Sequence, residues 1–497
     1  MSHPKANQAT TFPSKYAVLT AAEMIRAEVA AFKSGIPAYA LMAKAGGGLA
    51  KAILSKKKTD KILFLNGPGN NGGDSWVAAE ILRRKGWQVL CAALKLPDGH
   101  SCAALEAYEK WQGETGEFPE NLDEFDVIVD ALFGTGLERP VEGRAAEWIK
   151  AANESDALRV AVDIPSGISS DTGQVLGTAF RADLTTTFSH KKRGHLLMPG
   201  LELSGEVEVV DIGIGEEALG GMALKVFENN PALWRDDFPK LTKGGHKHQR
   251  GHLLVVGGPL GMSGAARMAA RSALRTGAGL VTTLVPEKAL LAYAEKQFSV
   301  MSAGYRDEKE FAGLVASDKF SAFVIGPGNG VGEGTRARVL KVLATAKPCV
   351  LDADALTSFE GNAGALEAAL HEQCVLTPHM GEFKRLWPDL SWDDKVATAE
   401  TAAAKTGAVV LLKGPDTVIS DGTITIINTH AAPQLATAGS GDVLAGIIAG
   451  LMTQGMAPFL AAAAGAWLHG EAALIFGGGL IADDLIETLP KVLKDFP

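Results

Sequence analysis

The chain is poor in cysteine: only Cys91, Cys102, Cys349 and Cys374 occur in 497 residues, and they lack the spacing of metal ligands. Three of them fall inside apolar runs, where a thiol behaves as a small hydrophobe, so a reducing cytoplasm is the expected compartment. Excess positive charge is also missing. A formal net charge of -9 repels nucleic-acid phosphate, which excludes nucleic acid as a partner and leaves any phosphate recognition to local groups. No charged segment followed by an apolar stretch opens the sequence, so residues 1–10 read as a tail and not as a secretory signal. An unbroken membrane-length run is lacking as well. The uncharged stretch 443–470 is divided by Thr453-Gln454-Gly455 and Pro458 into two shorter helices that ask for burial in protein. In the first, Val443, Leu444, Ile447, Ile448 and Leu451 form one apolar face, and Gly446 and Gly450 permit close approach on another. Short-period repeats and low-complexity tracts are absent.

What is present is length and alternation. A chain of this size exceeds one ordinary core, so two large lobes are expected. After a helical stretch over residues 21–54, short apolar runs at 61–66, 87–94, 126–133, 159–164, 184–188 and 206–211 alternate with helix-like segments. The rhythm lapses through Asn229-Asn230-Pro231 and Asp236-Asp237-Phe238-Pro239, where a linker is expected. It then resumes with runs at 252–257, 280–285, 322–325, 348–351, 374–377 and 408–412. Both halves therefore predict largely parallel α/β sheets, whose ligands sit beyond the carboxyl ends of the strands.

The most telling segment is Leu435-Ala-Thr-Ala-Gly-Ser-Gly-Asp442-Val-Leu444. Gly439 and Gly441 let backbone approach a phosphate, free amides at a helix start favour negative charge, and Asp442 stands beside the group that would react. This suggests a base working next to phosphate; the plainer alternative is a helix capped by Ser440 or Asp442.

In the first half, the run at 61–66 leads into Gly67-Pro68-Gly69-Asn70-Asn71-Gly72-Gly73-Asp74, with a helix expected from about Ser75. Four glycines, two asparagines and an aspartate make a loop suited to a diphosphate or a cation. A tight strand-to-helix turn explains two of those glycines but not four. Asp130 to Arg139 begins with an acid and contains a second small-residue cradle, and Asp163-Ile164-Pro165-Ser166-Gly167 closes a third strand. Three such strand ends suggest one pocket built from separate loops. Phe188-Ser189-His190-Lys191-Lys192-Arg193-Gly194 adds positive charge that could meet phosphate or form a solvated face.

These motifs resemble the signature of the NAD(P)H-hydrate epimerase family. The resemblance implies that Asn71, Asp130 and Ser166 bind potassium (K+), that Asn70, Asn71, Gly72, Gly73 and Asp74 together with Gly134, Thr135, Gly136, Leu137, Glu138, Arg139 and Pro140 hold the hydrated dinucleotide, and that Asp163 contacts it. Lys192 takes the place of the lysine in the family's Phe-x-x-x-Lys-x-Gly pattern. Ser75 and His195 depart from the glycine and leucine expected at their positions.

In the second half, His246-Lys247-His248 has no third metal ligand in view. Gly257 to Ala266, Gly326-Pro327-Gly328-Asn329-Gly330, Leu351-Asp352-Ala353-Asp354 and Leu376-Thr377-Pro378-His379-Met380-Gly381-Glu382 each follow a strand, and His379 is placed to touch a ligand. Lys413-Gly414-Pro415-Asp416-Thr417 offers a lysine and amides for nucleotide phosphate. Together these resemble the NAD(P)H-hydrate dehydratase family, a branch of the ribokinase-like fold. By that resemblance Lys413, Gly414, Pro415, Asp416, Thr417 and Gly441 bind the adenine nucleotide, and Ala265, Gly328, His379 and Asp442 line the hydrate site.

The expectation is thus an α/β protein of two domains, a Rossmann-like three-layer sandwich over 1–222 and a ribokinase-like sandwich over 223–497. The first would interconvert the R and S hydrates of NADH and NADPH, with Asp163 and Lys192 handling protons. The second would dehydrate the S form at the expense of ADP or ATP, with Mg2+ carried by the nucleotide and Asp442 as general base. The rival reading is a ribokinase-like small-molecule kinase fused to a dinucleotide-binding module. Expected partners are the hydrated dinucleotides, ADP or ATP, and copies of the same chain, with no membrane.

Overall fold

The computed structural model describes residues 12–56, 61–97, 101–240, 246–295 and 297–496. The segment read as an N-terminal tail lies outside them. The chain divides into two compact units, residues 1–226 and 227–497.

The first unit carries seven strands: β1 Lys61–Asn66, β2 Gln88–Ala93, β3 Glu114–Gly116, β4 Val127–Ala131, β5 Leu158–Val162, β6 Leu184–Phe188 and β7 Glu206–Val210. Their order is β3-β2-β1-β4-β5-β6-β7, and every pairing is parallel. This is the doubly wound Rossmann-like order, with its reversal between β1 and β4. Side chains alternate across the pleat. Leu63, Leu65 and Ile128 pack with Trp148 and Ile149 of the helix Gly143–Glu154, while the helices Ala38–Lys56 and Asn70–Arg84 pack on one another beside the sheet. The expected helical stretch at 21–54 is two helices, Ala21–Lys33 and Ala38–Lys56, separated by Gly35 in a left-handed conformation (φ +94°) and by Pro37. A capping box between Thr20 and Glu23 starts the first of them.

The second unit holds β8 Val226–Glu228, β9 His252–Val256, β10 Leu280–Pro286, β11 Met301–Tyr305, β12 Ala322–Ile325, β13 Cys349–Leu351, β14 Cys374–Leu376, β15 Val409–Leu412, β16 Thr417–Ser420 and β17 Thr425–Asn428. They form one sheet in the order β11-β10-β9-β12-β13-β14-β15-β16-β17-β8. Pairing is parallel from β11 to β15 and antiparallel through β16 and β17. On one face Leu254, Val256, Phe323, Ile325 and Leu351 form a continuous core with Phe311, Val339 and Phe383 from helices. The helices Ser263–Arg275, Ser440–Thr453 and Pro458–Phe476 also pack on the sheet.

The division of the 443–470 stretch into two helices is found, and it is buried packing that absorbs them. A Cβ on Gly446 would lie 2.0 Å from Ser272 Oγ and one on Gly450 2.8 Å from the Ala273 carbonyl, so both glycines exist for contact with the helix Ser263–Arg275. Pro458–Phe476 is long and apolar enough to cross a membrane by length and composition, yet most of it is buried in the protein. All four cysteines are free thiols, and Cys102 alone is exposed.

Three expectations need correction. The hairpin of β16 and β17 and the short strands β3, β8 and β11 were not expected. The helix placed from Ser75 begins at Asn70, so the asparagine-glycine segment is the first turn of a helix and not a loop. The segment read as a linker is part of the second unit. Asn229 N–H donates to the Ile427 carbonyl at 2.8 Å, and Trp234 is 0% exposed, with its indole N–H on Asn229 Oδ1 at 3.1 Å. Its ring packs against Phe238, Trp467 and Phe496. Replacing a buried tryptophan by alanine costs about 3–5 kcal/mol, so Trp234→Ala should lower the denaturation midpoint of the second unit accordingly. A midpoint shift equivalent to less than about 0.5 kcal/mol, the usual range for a surface site, would restore the linker reading.

Candidate functional sites

Each sheet reverses its strand order once among its parallel strands, between β1 and β4 and between β9 and β12, and the strand-end motifs lie at the carboxyl ends of β1, β4 and β5 in the first and of β9, β12, β13, β14 and β15 in the second. In the first unit the loops after β1 and β4 nearly touch: a Cβ on Gly67 would be 2.0 Å from the Leu132 carbonyl. Above them opens a cavity of about 860 Å³, within the range of small-molecule sites. Of the residues expected to hold a dinucleotide there, all but Gly72, Gly73 and Pro140 line it. A Cβ on Gly72 would be 2.0 Å from the Gly67 carbonyl and one on Gly73 2.5 Å from the side chain of Met42, so these two serve packing. The helix Asn70–Arg84 presents its first turn to the cavity without a side-chain cap, which leaves amide donors and the positive end of the helix dipole for an anion. Ser75, in the place of the expected glycine, is buried and its hydroxyl is taken up by Asn66 Oδ1 and the Gly72 carbonyl.

Asp163 sits on the cavity wall with φ +65°, unusual for a residue other than glycine. Its carboxylate accepts from Lys192 Nζ at 2.5 Å, Thr187 Oγ1 at 3.1 Å, the Thr135 amide at 3.2 Å and the Thr135 hydroxyl. Lys192 is 1% exposed, and its ammonium also donates to Thr187 Oγ1 and to the Phe188 carbonyl. Burial alone would raise the Asp163 carboxyl, but Lys192 and Thr135 outweigh it and hold the group down at about 2. His195 explains its own departure from leucine. Its Nε2 lies 2.8 Å from the Asp163 carbonyl and its Nδ1 accepts the Lys192 amide at 2.9 Å, so the ring ties the two members of the ion pair together. Burial, and then Lys192, push it down to about 3 and keep it neutral.

Beneath the cavity Asp130 is fully buried and accepts from Ser166 Oγ and N, both at 2.7 Å. Burial pushes it up to about 6 against those hydrogen bonds. Ser166 Oγ in turn accepts the Phe133 amide at 2.9 Å. Asn71 is close by, for a Cβ on Gly134 would be 3.0 Å from its Oδ1, and neither polar atom of its amide has a partner. Sequence reasoning missed Met24, Ile25 and Glu28, which enter the cavity from the helix Ala21–Lys33. No motif marks them.

In the second unit the bulk of the expected site gathers around Lys413. Its ammonium binds Asp352 Oδ1 at 2.7 Å and lies 3.9 Å from Glu382. Burial would lower it, but Asp352, Glu382 and Asp442 hold it raised. A Cβ on Gly441 would be 3.4 Å from Lys413 Nζ and 3.8 Å from Asp352 Oδ2, so the glycine is where backbone passes the charges. The helix Ser440–Thr453 starts after Gly439 in the left-handed region (φ 87°) with no side-chain cap, which removes the capping alternative for Asp442. Among the described residues Asp442 has no hydrogen-bond or ion-pair partner. Burial, then Asp352, push its carboxyl up to about 7, only partly opposed by Lys413.

His379 caps the helix Met380–Leu386 through Nδ1, which accepts the Glu382 amide at 3.1 Å, and its backbone pairs with Lys413. Ala265 is brought to Gly328, within 3.4 Å of a Cβ placed there. The segment Lys413 to Thr417 is a tight turn in which Thr417 Oγ1 donates to the Gly414 carbonyl and Asp416 is held by Lys395 at 2.6 Å. The lysine expected to meet phosphate is therefore already committed to carboxylates. Because Asp352 raises Asp442, Asp352→Asn should move the Asp442 carboxyl titration down from about 7, read by carbon NMR of labelled aspartate. An unmoved titration would show that burial alone sets it.

Comparison with known proteins agrees with this division. The NAD(P)H-hydrate dehydratase family model matches residues 253–490, and the YjeF-related protein N-terminus model matches residues 38–194. The bifunctional NAD(P)H-hydrate repair enzyme of Moorella thermoacetica is 36% identical over 516 residues, covering 96% of this chain and 97% of its own. That of Pyrobaculum aerophilum is 37% identical over 510 residues, with 96% and 98% covered. Among solved structures, the ADP/ATP-dependent NAD(P)H-hydrate dehydratase of Bacillus subtilis, co-crystallised with ATP and Mg2+, is 26% identical, with 54% of this chain and 98% of that one covered and a TM-score of 0.47.

Proposed function

The chain belongs to the family of bifunctional NAD(P)H-hydrate repair enzymes, and from that membership we infer that it returns hydrated NADH and NADPH to the reduced dinucleotides. The first unit interconverts the R and S hydrates, and the second dehydrates the S form at the expense of ADP or ATP. Full-length similarity to such enzymes displaces the kinase alternative.

The observation that carries the mechanism is Asp442, unpartnered, at a helix N-terminus and poised near 7. The hydrate bears a hydroxyl on the ring carbon next to nitrogen, and hydroxide is a poor leaving group. Asp442 takes the hydroxyl proton as the oxygen attacks the terminal phosphoryl group of the nucleotide, and the amides of the 439–442 turn receive the charge of the group in transfer. The transfer makes an oxygen–phosphorus bond as the nucleotide's own bond to that phosphorus breaks; the ring carbon–oxygen bond then breaks with its electrons leaving on phosphate, a proton leaves the neighbouring carbon, and the ring double bond returns. Lys413, Gly414, Pro415, Asp416, Thr417 and Gly441 are assigned to the nucleotide, and Ala265, Gly328 and His379 to the hydrate. Among the described residues no group of three or more histidine, cysteine or acidic side chains is placed to hold a metal ion; Mg2+ would arrive with the nucleotide and offset the charge of its phosphates.

In the first unit Asn70, Asn71, Asp74 and the segment Gly134 to Arg139 are assigned to the dinucleotide, with the Asp163–Lys192 pair at the reacting ring. Asn71, Asp130 and Ser166 suit K+: a carboxylate, a hydroxyl and an amide are hard oxygen donors, the Asn71 oxygen is buried without a partner, and Asp130 has no cationic side chain beside it among the described residues. The ion would supply the missing positive charge and fix the two loops.

Three outcomes are expected. Asp442→Asn should abolish nucleotide-dependent recovery of absorbance at the reduced ring while leaving hydrate binding largely intact, and in the wild type the rate should rise with pH through about 7, as the base must be ionised; retained turnover in the variant refutes the assignment. Replacing K+ by a bulky organic cation should slow stereoisomer interconversion in the wild type but not in Asp130→Asn, and equal sensitivity of the two would place the ion elsewhere.

A further inference from the structure

The Asp163–Lys192 pair has no free valence for proton transfer. Both oxygens of Asp163 are occupied, by Lys192 and Thr187 on one side and by the amide and hydroxyl of Thr135 on the other. The three protons of Lys192 are taken by Asp163, Thr187 and the Phe188 carbonyl. Such a pair fixes charge and position; it neither releases a proton nor collects one without breaking its network.

Two other carboxyl groups line the same cavity. Glu28 comes from the helix Ala21–Lys33, and Asp74 from the second turn of the helix Asn70–Arg84. Both also line an adjoining cavity of about 210 Å³, so they stand together where the two spaces meet. Asp74 is 9% exposed, and neither group has a hydrogen bond or ion pair among the described residues. A buried carboxyl with no partner is an unused proton donor or acceptor facing a ligand space. The remaining charged groups on the main cavity wall are Glu138 and Arg139, both exposed.

We propose that Glu28 and Asp74 are the proton-transfer pair of the epimerase reaction, with the Asp163–Lys192 pair as their fixed electrostatic counterpart. This rests on the epimerase reading of the first unit. One of the two carboxyls gives its proton to the ring hydroxyl. The carbon–oxygen bond breaks with its electrons on oxygen, water departs, and the nitrogen lone pair closes a carbon–nitrogen double bond in a planar cation. Water then adds to the opposite face, the double-bond electrons return to nitrogen, and the surplus proton goes to the ionised carboxylate. Nothing is oxidised, and the pair ends with the single proton it began with.

The electrostatics run in the required direction. Glu28 is raised by burial and then by Asp163, and Asp74 is raised well above the usual carboxylate range by burial, then by Asp163 and by Glu28 itself. Lys192 pulls both the other way but is the weaker influence. Burial and the negative charge of Asp163 thus favour the protonated form of both acids, and an ionised Glu28 favours it further at Asp74.

The test is stereoisomer interconversion of hydrated NADH by the full chain, followed by chromatographic separation of the R and S forms. Glu28→Gln and Asp74→Asn should each lower kcat by about 100-fold, the lower end of what general acid–base catalysis contributes, with KM changed far less. The double variant should be little worse than either single one, because the residues act as a unit. The wild-type rate should fall as pH rises past the raised carboxyl range, and that alkaline limb should vanish in both variants. Glu28→Asp, which keeps the acid, should retain the limb, and melting temperatures check folding in every case. Wild-type interconversion together with kcat within twofold of wild type in both isosteric variants overturns the proposal. Failure of the wild type to interconvert the isomers would instead overturn the epimerase reading on which it rests.

Discussion

A carboxylate withdrawn from water must find a cation or donors, or else keep its proton, and this constraint sorts the acids of both sites. Asp163 finds Lys192 and the Thr135 donors, so it stays ionised down to about 2. Asp442 is half-buried next to a lysine that is already engaged, since Lys413 binds Asp352 at 2.7 Å. It therefore rises to about 7, where a group can pass between base and acid with little driving force either way. The lysines thus decide which carboxylate is left without compensation.

That sorting needs charged groups from distant parts of the chain to meet, and the parallel sheet supplies the meeting place. Adjacent strands end at the same edge, and where the order reverses the crossing segments leave in opposite directions and open a crevice. Asp352 follows β13, Thr377 follows β14 and Lys413 follows β15, three consecutive neighbours, and the hydroxyl of Thr377 donates to the same Asp352 oxygen that binds Lys413. The glycines are the geometric condition for this crowding. At Gly67 and Gly441 backbone runs where a side chain would strike the next loop or intrude on the charge cluster.

The sequence made the strand framework legible because buried parallel strands are short apolar runs, and those ending in glycine or acid marked the sites. It was less informative where distance along the chain decided the outcome. The 229–239 segment has turn-forming composition, yet Trp234 is drawn into an aromatic cluster with Trp467 and Phe496, more than 200 residues away. The hairpin of β16 and β17 does carry a local signal, Asp421-Gly422 between β-branched residues, but strands of 4 residues are too short for their alternation to stand out. Glu28 had none. A polar residue on an amphipathic helix looks the same whether it meets solvent or the cavity, and only packing distinguishes the two.

The two units act on the same hydroxyl with opposite requirements. Interconversion of stereoisomers must be reversible, so the oxygen has to leave as water and return, which calls for an acid that gives a proton and a base that takes it back. Dehydration must run forward, so the oxygen has to become a nucleophile, be phosphorylated and leave as phosphate, which calls for an ionised base beside a nucleotide. On the proposed assignments the first unit meets the ring with two carboxyls pushed up by burial and by Asp163, the second with a single acid balanced near neutrality. On these assignments the chemistry separates by protonation state rather than by kind of residue, since each unit would use aspartate or glutamate.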